Sequence, residues 1–110
     1  VLSRASVQAM TTDRVPDIPT EAMGQAHRAA SWGFGFAVAG SERWTQFGGG
    51  TRAPGSVSHG GAGGIGGWVD FEHGIAASCV EIVTEIDEFS VPLSWAVNRL
   101  EDVVTSAIQA

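Results

Sequence analysis

Ser58-His59-Gly60-Gly61-Ala62-Gly63-Gly64-Ile65-Gly66-Gly67-Trp68-Val69-Asp70-Phe71-Glu72-His73-Gly74-Ile75 is the stretch on which the fold turns. Residues 55–59 read as short and extended, and the glycine run of residues 60–67 follows. Residues 68–71 read as a strand. Glu72-His73-Gly74 reads as a tight turn. Residues 75–84 form the most apolar strand, broken only by Ser78 and Glu81. Two such strands around a three-residue turn containing glycine predict an antiparallel hairpin.

Downstream, residues 85–89 form an acidic connector, and Ser90 with Pro92 supplies helix-start chemistry. Leu93, Val97, Leu100, Val104 and Ile108 recur at three- and four-residue steps. Asn98, Arg99, Glu101, Asp102 and Thr105 fall on the opposite side. This pattern predicts an amphipathic helix whose apolar stripe covers a sheet.

Upstream, Trp32 to Ala39 alternates, with Phe34, Phe36 and Val38 on one face and small residues on the other, which predicts a strand with a close-packed glycine side. Gly40-Ser41 is a turn, residues 42–47 are a return strand, and Gly48 to Gly50 with Pro54 marks a loop. Residues 11–30 read as a long loop, punctuated by Pro16 and Pro19, with one helical turn near residues 21–27. Ser3 is placed to cap a short helix, since its hydroxyl can accept from an orphan amide. Val7 and Met10 are spaced to bury one face of that helix. The expected architecture is α+β, an antiparallel sheet with a helix at each end.

The bulk properties narrow the function. A chain of 110 residues supplies one compact domain, and 44% hydrophobic with 16% charged residues excludes a disordered composition. Net charge is −6, from 12 acids against 6 arginines with no lysine. That balance speaks against nucleic acid, whose affinity rests on phosphate neutralisation, and against anionic membrane surfaces. No apolar run approaches the ~20 residues of a membrane span. Cys79 is the single cysteine, so no internal disulfide forms, and the compartment stays open.

Three chemistries arise from the residues alone. Gly61-Ala62-Gly63-Gly64-Ile65-Gly66 fits the G-x-G-x-x-G pattern of a dinucleotide site, which requires a buried strand before it and a helix after it. Here the preceding strand is short and polar, and further glycines follow. A dinucleotide bound there would quench Trp68. Ser58 and His59 suggest a nucleophile and base, but strand neighbours point to opposite faces. His27, His59 and His73 offer no i,i+4 pair and no cysteine at zinc spacing.

Taken together, Ser58-His59-Gly60-Gly61-Ala62-Gly63-Gly64 and Gly67-Trp68-Val69-Asp70-Phe71-Glu72-His73-Gly74-Ile75 resemble the last sheet strands of the β-lactamase-related serine hydrolases. These are the penicillin-binding-protein-like proteins, with their esterase, β-lactamase and D-aminopeptidase branches. In that family a Lys-Thr-Gly strand, often His-Gly-Gly or His-Ser-Gly in esterase-like members, precedes a glycine-rich stretch. A Trp-Val-Asp-Pro-Glu-x-Gly-Leu hairpin, a hydrophobic strand and the final helix come next. Leu2-Ser3 and Met10-Thr11-Thr12 resemble a helix upstream of these elements, and Trp32-Gly33-Phe34-Gly35-Phe36 resembles a "gly-leu-gly-phe" strand. The resemblance spans most of residues 1–84 in the right order. Residues 85–110 match only as a C-terminal helix.

The resemblance implies an α+β fold corresponding to the C-terminal part of the β-lactamase/transpeptidase-like fold, with residues 1–110 a single partial domain. His59, Gly60 and Gly61 would replace the family's triad beside the active site, with the glycines letting substrate lie against the backbone. The amide of Ala62 would supply one arm of an oxyanion hole. Phe71 departs from the hairpin's usual proline, and His59 in place of lysine points to the esterase-like branch. With neither lysine nor tyrosine in the chain, Ser-x-x-Lys and Tyr-x-Asn are both missing. No catalytic residue is therefore expected within it, and the nucleophile would lie upstream of Val1. The implied partners are a small ester or amide substrate and the upstream half of the same domain, and no cofactor is implied. The runner-up is a non-catalytic remnant or binding module that keeps the groove beside His59. Without upstream strands, the sheet edge at residues 55–60 or 32–39 is expected to stand open.

Overall fold

The computed structural model describes residues 1–22, 25–40, 50–61, 65–80 and 94–109. The expected return strand at 42–47, the glycines at 63 and 64, residues 81–84 of the last strand, the acidic connector and the Ser90–Pro92 helix start lie outside them. The elements in chain order are α1 (Arg4–Thr11), β1 (Thr20–Ala22), β2 (Gln25–His27), β3 (Ala37–Val38), β4 (Val57–Gly61), β5 (Ile65–Asp70), β6 (Ile75–Val80) and α2 (Ser94–Gln109). β1 and β2 form a two-stranded antiparallel sheet. β3-β4-β5-β6 form a four-stranded antiparallel sheet in chain order. The class is α+β.

Within the expected hairpin, β5 begins at Ile65, so the end of the glycine run is already strand. Gly66 and Gly67 sit in the ladder opposite Gly60 and His59. The turn takes four residues, Phe71 to Gly74, rather than three, and Gly74 adopts a left-handed φ of 67°. Asp70 sets the turn: its Oδ1 accepts from the amides of Glu72 and His73, both at 3.0 Å. An aspartate bonding its own backbone two and three residues on is a common way to nucleate a turn.

Ser3 caps α1 as expected, its hydroxyl accepting from the Ser6 amide at 3.1 Å. The anticipated burial of Val7 and Met10 does not occur, because α1 has no buried residue. Residues 32–39 make a tight reversal instead of one continuous strand. Trp32 bridges Ala37, the Gly33 amide donates to Phe36 O, and Gly35 takes φ 90°. Phe34 is thereby thrown outward under Arg14, whose guanidinium lies 5.2 Å from the ring centroid. Gly33 is required for closeness: a Cβ there would stand 2.1 Å from Met10 O. The helical turn expected near residues 21–27 is the β1–β2 hairpin.

The largest departure concerns α2. Its expected apolar stripe is only partly turned inward. Val104 packs against the core cluster of Trp68 and Ile75, yet Leu100 and Ile108 are exposed, while Glu101 and Thr105 are fully buried. Leu93 and the side chain of Val97 lie outside the described residues. The polar side faces inward because a buried arginine waits there: Arg52 Nε stands 3.7 Å from Glu101 Oε1. One turn of loop is also tied down, with the amide and hydroxyl of Thr51 donating to Asp102 Oδ1 at 3.1 and 2.9 Å. A desolvated cation demands a partner more strongly than a leucine demands burial.

Candidate functional site

β4 separates two environments. Strand alternation places Ser58 and Trp68 on the side of α2 and His59 on the opposite side, as expected for neighbours in a strand. Ser58 is buried and accepts from Arg52 Nη1 at 2.8 Å. His59 is exposed, and its ring meets the edge of Trp32 at 6.0 Å between centroids and 78° between planes. Ser58 and His59 therefore do not form a nucleophile–base pair.

The His59 side of the sheet carries an open groove of about 440 Å³. Its walls come from Phe36, Val57, His59, Val69, Ala76 and Ser78, with Gly67 between His59 and Ser78 in the ladder. Lacking a side chain, Gly67 forms the floor. Among the described lining residues His59 alone is ionisable, so this wall suits a neutral, partly apolar group that hydrogen-bonds at His59 and Ser78. Sequence reading placed Gly67 in the resemblance but not in the site. Only the cross-strand register could have shown it opposite His59.

Gly60 and Gly61 continue β4 beside His59, opposite Gly66 and Ile65. Among the described residues a Cβ at Gly61 would meet the Ile65 Cβ at an ordinary 3.9 Å, so packing against them does not demand glycine there. Ala62, expected to lend an oxyanion amide, lies outside the described residues. β5 rather than a helix follows the G-x-G-x-x-G stretch, so no helix N-terminus faces a pyrophosphate. Trp68, the expected dinucleotide reporter, is buried on the α2 side. Among the described residues no three histidine, cysteine or acidic side chains gather in a way that holds a metal ion, and no helix is long and apolar enough to cross a membrane.

On the other side of the sheet a polar network fixes β4 from beneath. Asp70 is fully buried. Besides the turn amides, its Oδ2 accepts from the Ala53 amide at 3.0 Å and pairs with His73 Nδ1 at 2.8 Å. An ionised carboxylate only accepts, so Nδ1 carries the hydrogen. Burial pushes the Asp70 carboxyl upward, but the Ala53 amide, the His73 ring and amide, and the imidazole's charge outweigh it and hold the pKa at about 2. Desolvation lowers the Arg52 pKa, and Glu101, Asp70 and Asp102 oppose that shift. The network joins loop 51–53, the β5–β6 turn and α2, and Arg52 links it to the strand bearing His59 through Ser58.

Comparison with known proteins finds no match: no family model, no curated protein and no solved structure aligns with this chain.

Proposed function

We propose that this chain is the C-terminal portion of a β-lactamase-related serine hydrolase domain, holding one wall of an acyl-transfer site and inactive by itself. The observation that carries this proposal is the placement of His59-Gly60-Gly61. The three residues lie on β4, next to a short edge strand, followed by the β5–β6 hairpin and by α2 on the face away from His59. The same order of motifs supports the resemblance in the sequence. In such a site a serine supplied by the complementary polypeptide attacks an ester or amide carbonyl. The acyl-enzyme forms as the alcohol or amine departs, and water then releases the acid. His59 would donate to the substrate or steady the nucleophile's charge from the groove wall. The amide of Ala62 would take part of the oxyanion's charge, a contribution of several kcal/mol in sites of this type.

Co-expression with the upstream coding sequence bearing Ser-x-x-Lys, followed by an aryl-ester hydrolysis assay and a fluorophosphonate label, tests the proposal. The label is expected on the upstream serine and absent from this chain alone, and His59→Ala is expected to lower kcat. Labelling of the isolated chain, or a natural product with no serine-bearing half, would refute it.

A non-catalytic binding module has one observation in its favour. The adjacent Ser58 and His59 face opposite sides, and Ser58 is held by Arg52, yet a groove beside Trp32 and His59 is lined by this chain's own residues. A neutral aryl ligand that changes Trp32 fluorescence in the isolated chain, with no upstream half needed for binding, would favour it.

A further inference from the structure

Gly67 sits at the centre of the sheet face that carries His59. β4 lies between β3 and β5 rather than at the open edge expected for residues 55–60, and β5 lies between β4 and β6. The register sets His59 and Ser78 directly opposite Gly67, one on each side. Alternation along β5 puts Ile65 and Val69 on the same face, two residues before and after it. His59, Ile65 and Ser78 are exposed and Val69 is half-buried. Of these five positions only the central one lacks a side chain.

The fold of the described residues does not ask for glycine there. The φ of Gly67 lies outside the left-handed region. Among the described residues a Cβ would meet Ala77 O at 3.4 Å and the Ser78 Cβ at 3.7 Å, both ordinary contacts. A glycine inside a strand gives up packing and loses more conformational freedom on folding than any other residue. Where neither backbone conformation nor close packing explains it, the approach of another molecule does. The dimensions fit a small one. Two strand spacings separate the Cα atoms of His59 and Ser78 by roughly 10 Å, and one contact distance of roughly 4 Å leaves a slot about 6 Å wide. The groove around it, about 440 Å³, falls within the range of small-molecule sites, roughly 300–1,000 Å³.

We infer that Gly67 is the floor of a subsite for a neutral aromatic ring of the bound ester or amide, and that the missing side chain at residue 67 sets this preference. Shape selects a ring. A flat group lies against the peptide planes on either side of Gly67 over its whole area, which a puckered or branched group cannot do. Phe36 lines the same groove, and His59 already meets Trp32 at 78°, so aromatic groups stand ready for edge-to-face contact. The Ser78 hydroxyl receives a polar substituent at the far side of the slot. Charge selects a neutral group. The chain carries −6, and no described lining residue is an arginine that would hold a carboxylate. The inference rests on the hydrolase proposal only in calling the ring's owner a substrate.

Titration of this chain with N-phenylacetamide, N-cyclohexylacetamide and benzoate, followed by amide NMR shifts, tests it. The phenyl amide is expected to bind at least about tenfold more tightly than either comparator, moving the amides of His59, Gly67 and Ser78. Gly67→Val fills the slot with a residue that strands favour. It should weaken phenyl-amide binding at least about tenfold and leave the thermal melt unchanged. A cyclohexyl amide or benzoate bound as tightly as the phenyl amide would overturn the inference. So would no saturable binding, shifts confined to other faces, or binding that survives Gly67→Val. If that variant fails to fold, the ligand ranking and the shift map on the unaltered chain decide. Supplying the serine-bearing half separates the two readings. Ring binding without acyl transfer sustains the subsite and sinks the hydrolase proposal. Aryl-ester turnover indifferent to Gly67→Val does the reverse.

Discussion

Replacing Asp70 should destabilise this protein in a manner that pH reveals. The carboxylate is fully buried and accepts from three backbone amides and from His73 Nδ1. Asp70→Ala strips partners from the buried Ala53 amide and from the two turn amides. A buried donor left unsatisfied costs about 1–3 kcal/mol, and the two turn amides, closer to water, cost less. The expected loss at pH 7 is therefore about 2–4 kcal/mol, a large share of the roughly 5–15 kcal/mol that holds a domain of this size. The ionised form contributes separately. The folded carboxyl titrates at about 2 against an ordinary 3.8, a gap that corresponds to about 2 kcal/mol. Because the folded value is depressed, that stability is fully present above the unfolded value. It fades as pH falls from about 4 toward 2. Urea melts followed by Trp68 fluorescence, at pH 7 and across pH 2–5, measure both. In Asp70→Asn the acid-dependent part should vanish. A loss below about 0.5 kcal/mol for Asp70→Ala, or an acid dependence unchanged in Asp70→Asn, would refute the assignment of Asp70 as the hub.

Arg52→Ala should destabilise by about 3–5 kcal/mol by leaving Glu101 buried without its cation, whereas the pair Arg52→Met with Glu101→Leu should recover most of the loss; thermal melts of the single and double variants decide. Gly33→Ala should cost about 1–3 kcal/mol through the Met10 carbonyl that its Cβ would strike, read as a lowered urea midpoint. Trp68→Ala should cost about 3–5 kcal/mol by emptying the core, while exposed Phe34→Ala stays within about 0.5 kcal/mol. His59→Ala should leave the melt within about 0.5 kcal/mol and alter the Trp32 emission that the ring edge now shapes.

The sequence by itself determined the elements whose signals are local. Ser3 announced its cap because the bond it makes spans three residues. The β5–β6 hairpin was legible because Asp70 and Gly74 are both turn chemistry. The opposed facing of Ser58 and His59 followed from strand geometry alone. The break at residues 34–36 was hidden inside an alternating pattern, since Gly33 and Gly35 fit a strand as well as a reversal until Met10 O comes close. Likewise the groove needed the register that sets Gly67 between His59 and Ser78. The inward side of α2 was decided only by tertiary structure. Periodicity counts leucines and valines, and it cannot see that Arg52, some fifty residues earlier in the chain, arrives beneath the sheet needing Glu101. A charge removed from water outweighs the burial of one apolar side chain. The helix therefore turned its acids inward and left Leu100 and Val103 at the surface.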